Sequence, residues 1–295
     1  LARVVLIGEA MLELGRTTSG WRLGYGGDTL NTAIHLARAG HDVAYLTALG
    51  SDVLSETLRP QWAQEGLDVS LVLQHPRRNT GLYAISTDVA GERSFTYWRD
   101  ASAARDMFAL PEIDAALDIA EDADLIGFSL ITLAILPLEG RRRLLEVARQ
   151  MRLRGGQVAF DGNYRARLWT DAAEARTARD AAISCATIGL PTLEDETALS
   201  GETSCDAVAA HWQALGCVET VVKAGYAGCR LPDGIMSCPP QILLPVDTSG
   251  AGDAFNAGYL GARLVGANPA IAAREGHARA GWTIMRPGAI PPREA

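Results

Sequence analysis

Asp247-Thr248-Ser249-Gly250-Ala251-Gly252-Asp253-Ala254-Phe255 sets two glycines and a carboxylate where an apolar, small-residue helix is expected to begin, over about 253–265. Such a start handles phosphate. Gly250 and Gly252 can take conformations closed to other residues and let a phosphate approach main-chain N–H groups. The helix aims its unpaired first amides and the positive end of its dipole at the same spot. Asp253 is out of character there, because a carboxylate repels phosphate unless it has a chemical task. Accepting a proton from an attacking hydroxyl is such a task; capping the helix is the other use open to it.

A second glycine pair lies near the other end of the chain, in Tyr25-Gly26-Gly27-Asp28-Thr29-Leu30-Asn31. It precedes a helix expected over Asp28 to Ala39, closed by Gly40, with Leu30, Ala33, Ile34 and Ala37 on one face. Asp28 and Asn31 then stand about one turn apart on one face. Carboxylate and amide side chains at fixed positions suit a polyhydroxylated ligand, and a capped helix after a glycine turn is the alternative.

Between these segments strands and helices alternate. Arg3 to Gly8, Asp42 to Leu49, Asp124 to Phe128, Gln157 to Asp161 and Thr187 to Leu190 read as strands; Leu138 to Arg152 and Asp171 to Ser184 read as helices. This is an α/β chain with a mostly parallel sheet. Two stretches break the rhythm, about 9–25 and 80–100. The second carries the pairs Tyr83/Ile85 and Phe95/Tyr97 around Asp88-Val89-Ala90-Gly91. Both are read as a small β lid over the carboxyl ends of the strands, where open α/β sheets bind ligands, so 1–295 forms a single domain.

Composition narrows the function. With 295 residues, 48% hydrophobic and 21% charged, the chain is an ordinary soluble globular protein with a substantial core. A formal charge of −8 argues against a nucleic-acid surface, and Arg141-Arg142-Arg143 is read as a solvated helix face. The cysteines Cys185, Cys205, Cys217, Cys229 and Cys238 form no Cys-x-x-Cys pair. Neither a disulfide framework nor a zinc site is suggested, and a reducing cytoplasm fits. Val4 to Ile7 is too short for a signal peptide; the chain starts at Leu1 without Met, which leaves its true N-terminus open. No Gly-x-x-x-x-Gly-Lys-Ser/Thr occurs, and no Gly-x-Gly-x-x-Gly follows the first strand. A P-loop kinase and a dinucleotide dehydrogenase are thereby disfavoured.

The two glycine segments, in this order, resemble the ribokinase-like (phosphofructokinase-B type) carbohydrate kinase family, and the resemblance spans nearly the whole chain. It implies a three-layer α/β fold with a β lid and ATP-dependent phosphorylation of a sugar hydroxyl. Asp253 would be the base, and the amides of Gly250, Ala251, Gly252 and Asp253 would stabilise the transferred phosphoryl group. Phe160-Asp161-Gly162-Asn163-Tyr164-Arg165-Ala166-Arg167-Leu168-Trp169, with the segment 25–31, resembles the 2-keto-3-deoxygluconate kinase branch. That acceptor is an acid, which Arg99 and Arg165 could clamp by charge-assisted hydrogen bonds. The resemblance lines the sugar with Gly26, Gly27, Asp28, Asn31, Tyr83, Tyr97, Arg99 and Arg165; packing of the two tyrosines and simple exposure of Arg99 stay open.

For the nucleotide, the resemblance sets Asn163, Arg165, Lys223, Gly225 and Gly228 along the ATP phosphates and ribose. Adenine then falls near Ala280, with His277 as a packing or ring-edge contact. Lys223 as a surface lysine is the alternative. The family's Asn-x-x-Glu, which organises Mg²⁺, is here Thr192-Leu193-Glu194-Asp195, so Asp195 takes the acid's position with Glu196 as fallback. A monovalent cation near Asp247 and Ser249 and a homo-oligomer joined through the lid are further implications. A kinase for a neutral sugar or nucleoside, and a silent sugar- and nucleotide-binding sensor, remain as alternatives.

Overall fold

Arg3–Ile7 is a strand whose residues beyond Arg3 are buried, as a strand covered on both faces requires. It lies at the middle of the central sheet in a computed structural model, which describes residues 2–17, 20–87 and 93–293. The strands run in the order Glu219–Thr220, Ile188–Gly189, Gln157–Asp161, Leu125–Ser129, Arg3–Ile7, Asp42–Leu49, Val72–Gln74, and every pair is parallel. The chain winds outward from Arg3–Ile7 in both directions. A crevice therefore opens beyond the carboxyl ends of Arg3–Ile7 and Leu125–Ser129, the topological switch point at which such sheets take ligands.

Helices cover both faces. Asp28–Arg38, Ala251–Leu264 and Pro269–Ile284 build one core with Leu30, Ile34, Leu36, Tyr259 and Leu260; Trp62 packs edge-on to Tyr45 at 5.7 Å. Ile113–Glu121, Leu138–Leu153, Ala172–Cys185 and Cys205–Ala214 build the other, where Trp212 stacks on Phe160 at 5.5 Å. The expected strands and helices fall within a few residues of these bounds. The 251–264 helix begins earlier than expected because Gly250 turns left-handed and starts it. Arg141 departs from the solvated-face reading: it lies over the Trp169 ring at 4.7 Å and donates to the carbonyls of Leu133 and Leu136. All five cysteines are free thiols, and among the described residues no helix is long and apolar enough to cross a membrane.

The lid is one sheet of four strands, Gly20–Gly26, Met11–Thr17, Gly81–Thr87 and Arg93–Trp98 in that order. The expected pairs Tyr83/Ile85 and Phe95/Tyr97 lie on adjacent strands, with Tyr83 opposite Tyr97 and Ile85 opposite Phe95; the turn expected at Asp88–Gly91 lies outside the described residues. Gly24, Glu13, Tyr83 and Tyr97 form one row across the face turned toward the crevice. Leu12 and Leu82, on the opposite face, pack with Tyr25 against the first core.

Candidate active site

The Ala251–Leu264 helix begins at Gly250, where the anion hole is expected. Gly250 has φ +70, and a Cβ there would stand 2.6 Å from the Ala289 methyl, so only glycine fits. Gly252 is different: its backbone is helical, and a Cβ would meet nothing nearer than Lys223 Nζ at 3.7 Å. The expectation that both glycines use special conformations is corrected on this point. What Gly252 provides is clearance above the helix start, where Ala251 N turns back to Thr248 O at 3.3 Å and the amides of Gly252 and Asp253 follow in the first turn.

Asp253 is in the first turn but does not cap the helix, since the cap is Gly250 and no side chain bonds the end. Its carboxylate is buried and accepts a hydrogen bond from Asn31 Nδ2 at 2.7 Å. Burial, then the Asp28 charge, with a smaller push from Asp161, raises its pKa to about 8; the Asn31 bond and Lys223 pull the other way. A carboxylate so poised takes a proton readily near neutral pH.

Around it the two sequence segments converge. Asp28 begins the Asp28–Arg38 helix, accepts from Asn163 Nδ2 at 3.1 Å, and is raised above the ordinary carboxylate range chiefly by burial. Gly27 has φ +152, and a Cβ there would run into the Glu9 carbonyl. Gly26 ends the lid strand directly against the Tyr83 hydroxyl. Lys223 is a buried residue, not a surface lysine: Nζ donates to Asn256 Oδ1 at 2.9 Å and Asp161 Oδ1 at 3.2 Å, and Asn256 Nδ2 donates to Asp161 Oδ2 at 2.8 Å.

Asp161, Asn256 and Glu13 were missed from sequence. Asn256 did carry a signal, since it stands one helical turn beyond Asp253. Asp161 ends the strand inside the segment that marks the branch. Glu13 accepts a hydrogen bond from the Tyr83 hydroxyl on the lid's inner face.

Of the two arginines expected at the acceptor, Arg99 departs from the exposed alternative. Arg99 is buried and joined to the equally buried Glu9, an ion pair that ties the end of the last lid strand to the residue beyond Arg3–Ile7. It is neither exposed nor unpartnered. Arg165 donates to Tyr164 O at 2.6 Å and to Asp195 Oδ1 at 3.1 Å. Tyr83 and Tyr97 stack on each other at 5.8 Å.

Asp195 lies in the first turn of Leu193–Ser200, whose cap is Thr192. It is mostly buried, raised by that burial, and feels Asp161 and Lys223 as well as Arg165. Glu196, the fallback, is excluded: it faces the opposite way, buried against Arg179 Nη1 at 2.5 Å and Trp212 Nε1 at 3.1 Å. Among the described residues no three acidic, histidine or cysteine side chains gather to hold a metal. The Asp195 carboxylate, mostly buried and within the influence of Asp161, is an oxygen donor of the kind Mg²⁺ takes when phosphates and water supply its other ligands.

The residues expected beside the nucleotide lie on other elements. Gly225–Ala227 is a tight turn ended by Gly228, packed on Ser237 and Cys238. His277 Nε2 pairs with Ser237 O at 2.9 Å and its ring meets Phe255 edge-on at 5.2 Å, as a packing residue does. Ala280 follows on the same helix, half-buried. Asp247 is buried, with its oxygens on the amides of Ser249 at 2.9 Å and Gly288 at 2.6 Å.

Comparison with known proteins gives this arrangement its context. The model of the pfkB family of carbohydrate kinases matches residues 1–295. The 2-dehydro-3-deoxygluconokinase of Dickeya dadantii is 41% identical over 303 residues, covering 99% of this chain and 97% of its own. That of Escherichia coli K12 is 39% identical over 304 residues, covering 99% and 98%. The crystal structure of aminoimidazole riboside kinase from Salmonella enterica, complexed with aminoimidazole riboside and an ATP analog, superposes with a TM-score of 0.82 at 25% identity, covering 98% of this chain and 95% of that one.

Proposed function

The chain belongs to the pfkB family of carbohydrate kinases, and we propose that it transfers the γ-phosphoryl group of ATP to the terminal hydroxyl of 2-keto-3-deoxygluconate, giving the 6-phosphate. The observation that carries the chemistry is Asp253, a buried carboxylate in the first turn of the helix that forms the anion hole. The names of relatives that cover nearly the whole of both chains support the acceptor.

The acceptor hydroxyl gives its proton to Asp253 as its oxygen bonds to the γ-phosphorus. The bond from phosphorus to the β-bridging oxygen breaks, and ADP leaves with the electron pair. Charge on the transferred group meets the amides of Gly250, Ala251, Gly252 and Asp253, with Lys223 alongside. Fixed donors of this kind do most of the work in phosphoryl transfer, where positioning and electrostatics dominate. Mg²⁺ bound with the nucleotide would neutralise the phosphates, and Asp195 is the carboxylate that would organise its waters. Asn163 and Arg165 line the path between acceptor and phosphates, and Gly225, Gly228 and Ala280 bound the nucleotide.

Two further assignments belong to this reading. The buried Asp247, beside Ser249, offers a monovalent cation a position next to the anion hole, so replacing potassium with a bulky organic cation should lower turnover. The lid's outer face exposes Trp21, Leu23 and Trp98, which supports a homo-oligomer joined lid to lid. Light scattering of the wild type and of a Trp98→Glu variant tests it. Five free cysteines suit a reducing cytoplasm.

The deciding experiment is ADP release with ATP and Mg²⁺ over 2-keto-3-deoxygluconate, its galactose-derived epimer, fructose, ribose and adenosine. Turnover concentrated on the keto-deoxy acids is expected. Turnover on a neutral acceptor instead would keep Asp253 and discard the acid; tight sugar binding without turnover would make the protein a sensor.

A further inference from the structure

Lys223, Asp161 and Asn256 close a ring of side chains brought together from three elements. Lys223 ends the short strand Val222–Lys223, Asp161 ends Gln157–Asp161, and Asn256 lies in the second turn of Ala251–Leu264. Nζ donates to Asp161 Oδ1 at 3.2 Å and to Asn256 Oδ1 at 2.9 Å, and Asn256 Nδ2 closes the ring on Asp161 Oδ2 at 2.8 Å. Each bond specifies the next. Turned round, the Asn256 amide would set its NH2 against the ammonium and its oxygen against the carboxylate, so the ring admits one orientation. Lys223 and Asn256 are buried, and the backbone N–H of Lys223 is held by Pro191 O at 2.9 Å.

An ammonium has three N–H groups. Two are used inside the ring. The third is left for the space above the first turn of the helix, where Nζ stands 3.7 Å from the position a Cβ on Gly252 would take. A lysine ammonium is otherwise a mobile point charge on a flexible stem, and the ring removes that mobility before a phosphate arrives. The Lys223–Asp161 pair also stands near two working carboxylates. Burial dominates the proton affinities of Asp253 and Asp195, and on both of them Asp161 pushes upward while Lys223 pulls downward.

We propose that Asp161 and Asn256 are positioning residues that act through Lys223, aiming its remaining N–H at the phosphoryl group in transfer. This rests on the phosphoryl transfer of the preceding section and names the residues that fix its cation.

The ring predicts which substitutions repair one another. Asp161→Asn leaves two amides and an ammonium, so one pair of N–H groups must face each other, and Asn256→Asp sets two carboxylates edge to edge. Exchanging them, Asp161→Asn together with Asn256→Asp, gives every donor an acceptor again, with acid and amide in each other's places. Each single variant should lower kcat roughly 10- to 100-fold, the range for a hydrogen bond to a charged group, with the acceptor's KM within about threefold. The exchanged pair should turn over faster than either single variant. In a Lys223→Met background neither single substitution should cost further kcat, as befits residues that act through one side chain. Rates are compared above the pH at which Asp253 has lost its proton, so that a shift of that group is not read as lost positioning. An exchanged pair no faster than the single variants, or undiminished losses in the Lys223→Met background, would overturn the proposal, as would Lys223→Met with wild-type kcat; all three leave the kinase reading standing. A wild type that releases no ADP with any acceptor of the panel removes the premise itself. Urea unfolding shows which variants fold, and where a single variant does not, the exchanged pair carries the test: it should turn over faster than Lys223→Met, and equality with Lys223→Met overturns the proposal.

Discussion

Asn31 Nδ2 donates to Asp253 Oδ2 at 2.7 Å, joining the helix after the first glycine pair to the helix after the second. The bond orients the carboxylate and holds down its proton affinity. Asp253→Asn keeps the shape and loses the base, so kcat should fall about 10²- to 10⁴-fold while the KM for ATP changes little. Asn31→Ala keeps the carboxylate but frees it, and a smaller fall in kcat is expected, of about 10-fold for one net hydrogen bond. Near-normal turnover in Asp253→Asn would remove the carboxylate from the mechanism.

The pKa of Asp253 sets a pH dependence. The base works deprotonated, so kcat/KM for the acceptor should rise about tenfold per pH unit up to about 8 and level off above it. Asp28 contributes to that position, and it shares its surroundings with Asp161, Arg99 and the Ser129 hydroxyl. Asp28→Asn removes a negative charge near the base, so the acid limb should move to lower pH. A limb that stays in place would show that Asp28 does not act on Asp253.

Stability should report the same carboxyl group. Folding raises its pKa, so its favourable contribution is complete below the ordinary carboxylate value and is lost as pH rises through about 8. The amide of Asp253→Asn does not titrate. The variant should therefore gain stability relative to wild type as pH rises from about 4 to 8, measurable as urea midpoints across that window. A constant difference would mean that burial does not penalise the charge.

Glu196 and Arg179 face each other at 2.5 Å with both side chains 1% exposed, and Glu196 also holds the indole of Trp212 beneath Gly162. Removing one partner leaves a buried charge uncompensated. Glu196→Leu or Arg179→Met alone should cost about 3–5 kcal/mol, and the double variant should lose less than either. Strict additivity in urea unfolding would contradict the coupling.

These cases show how far the residues could be read in advance. The placement of Gly250, Gly252 and Asp253 at a helix start was legible because glycines, acid and helix start lie within one short segment, where local chemistry decides. The strand alternation was legible for the same reason. The Glu9–Arg99 pair was not, because the lid's strand pairing, which periodicity does not specify, brings Arg99 back to the end of Arg3–Ile7. Asp195 and Glu196 are neighbours on one helix, and only the rotational phase of that helix sends one to the crevice and the other to the core.

Gly250 and Gly252 look interchangeable in sequence but should fail differently. At Gly250, alanine would meet both a left-handed backbone and the Ala289 methyl at 2.6 Å. The 288–289 loop cannot yield freely, since Gly288 N is bonded to Asp247 and Ala289 O to His35. Gly250→Ala should therefore destabilise the fold by at least about 1–2 kcal/mol from the backbone alone, with activity lost alongside. At Gly252 the backbone is already helical, where alanine is the better residue. Gly252→Ala should keep or slightly raise stability, yet its methyl group would stand between the helical amides and Lys223, where a phosphoryl oxygen must fit. Turnover should fall about 10²- to 10³-fold, as when an oxyanion donor is lost. Thermal unfolding and kcat measured on both variants separate the two roles, and a Gly252→Ala enzyme with full activity would mean that the transferred group does not pass through this space.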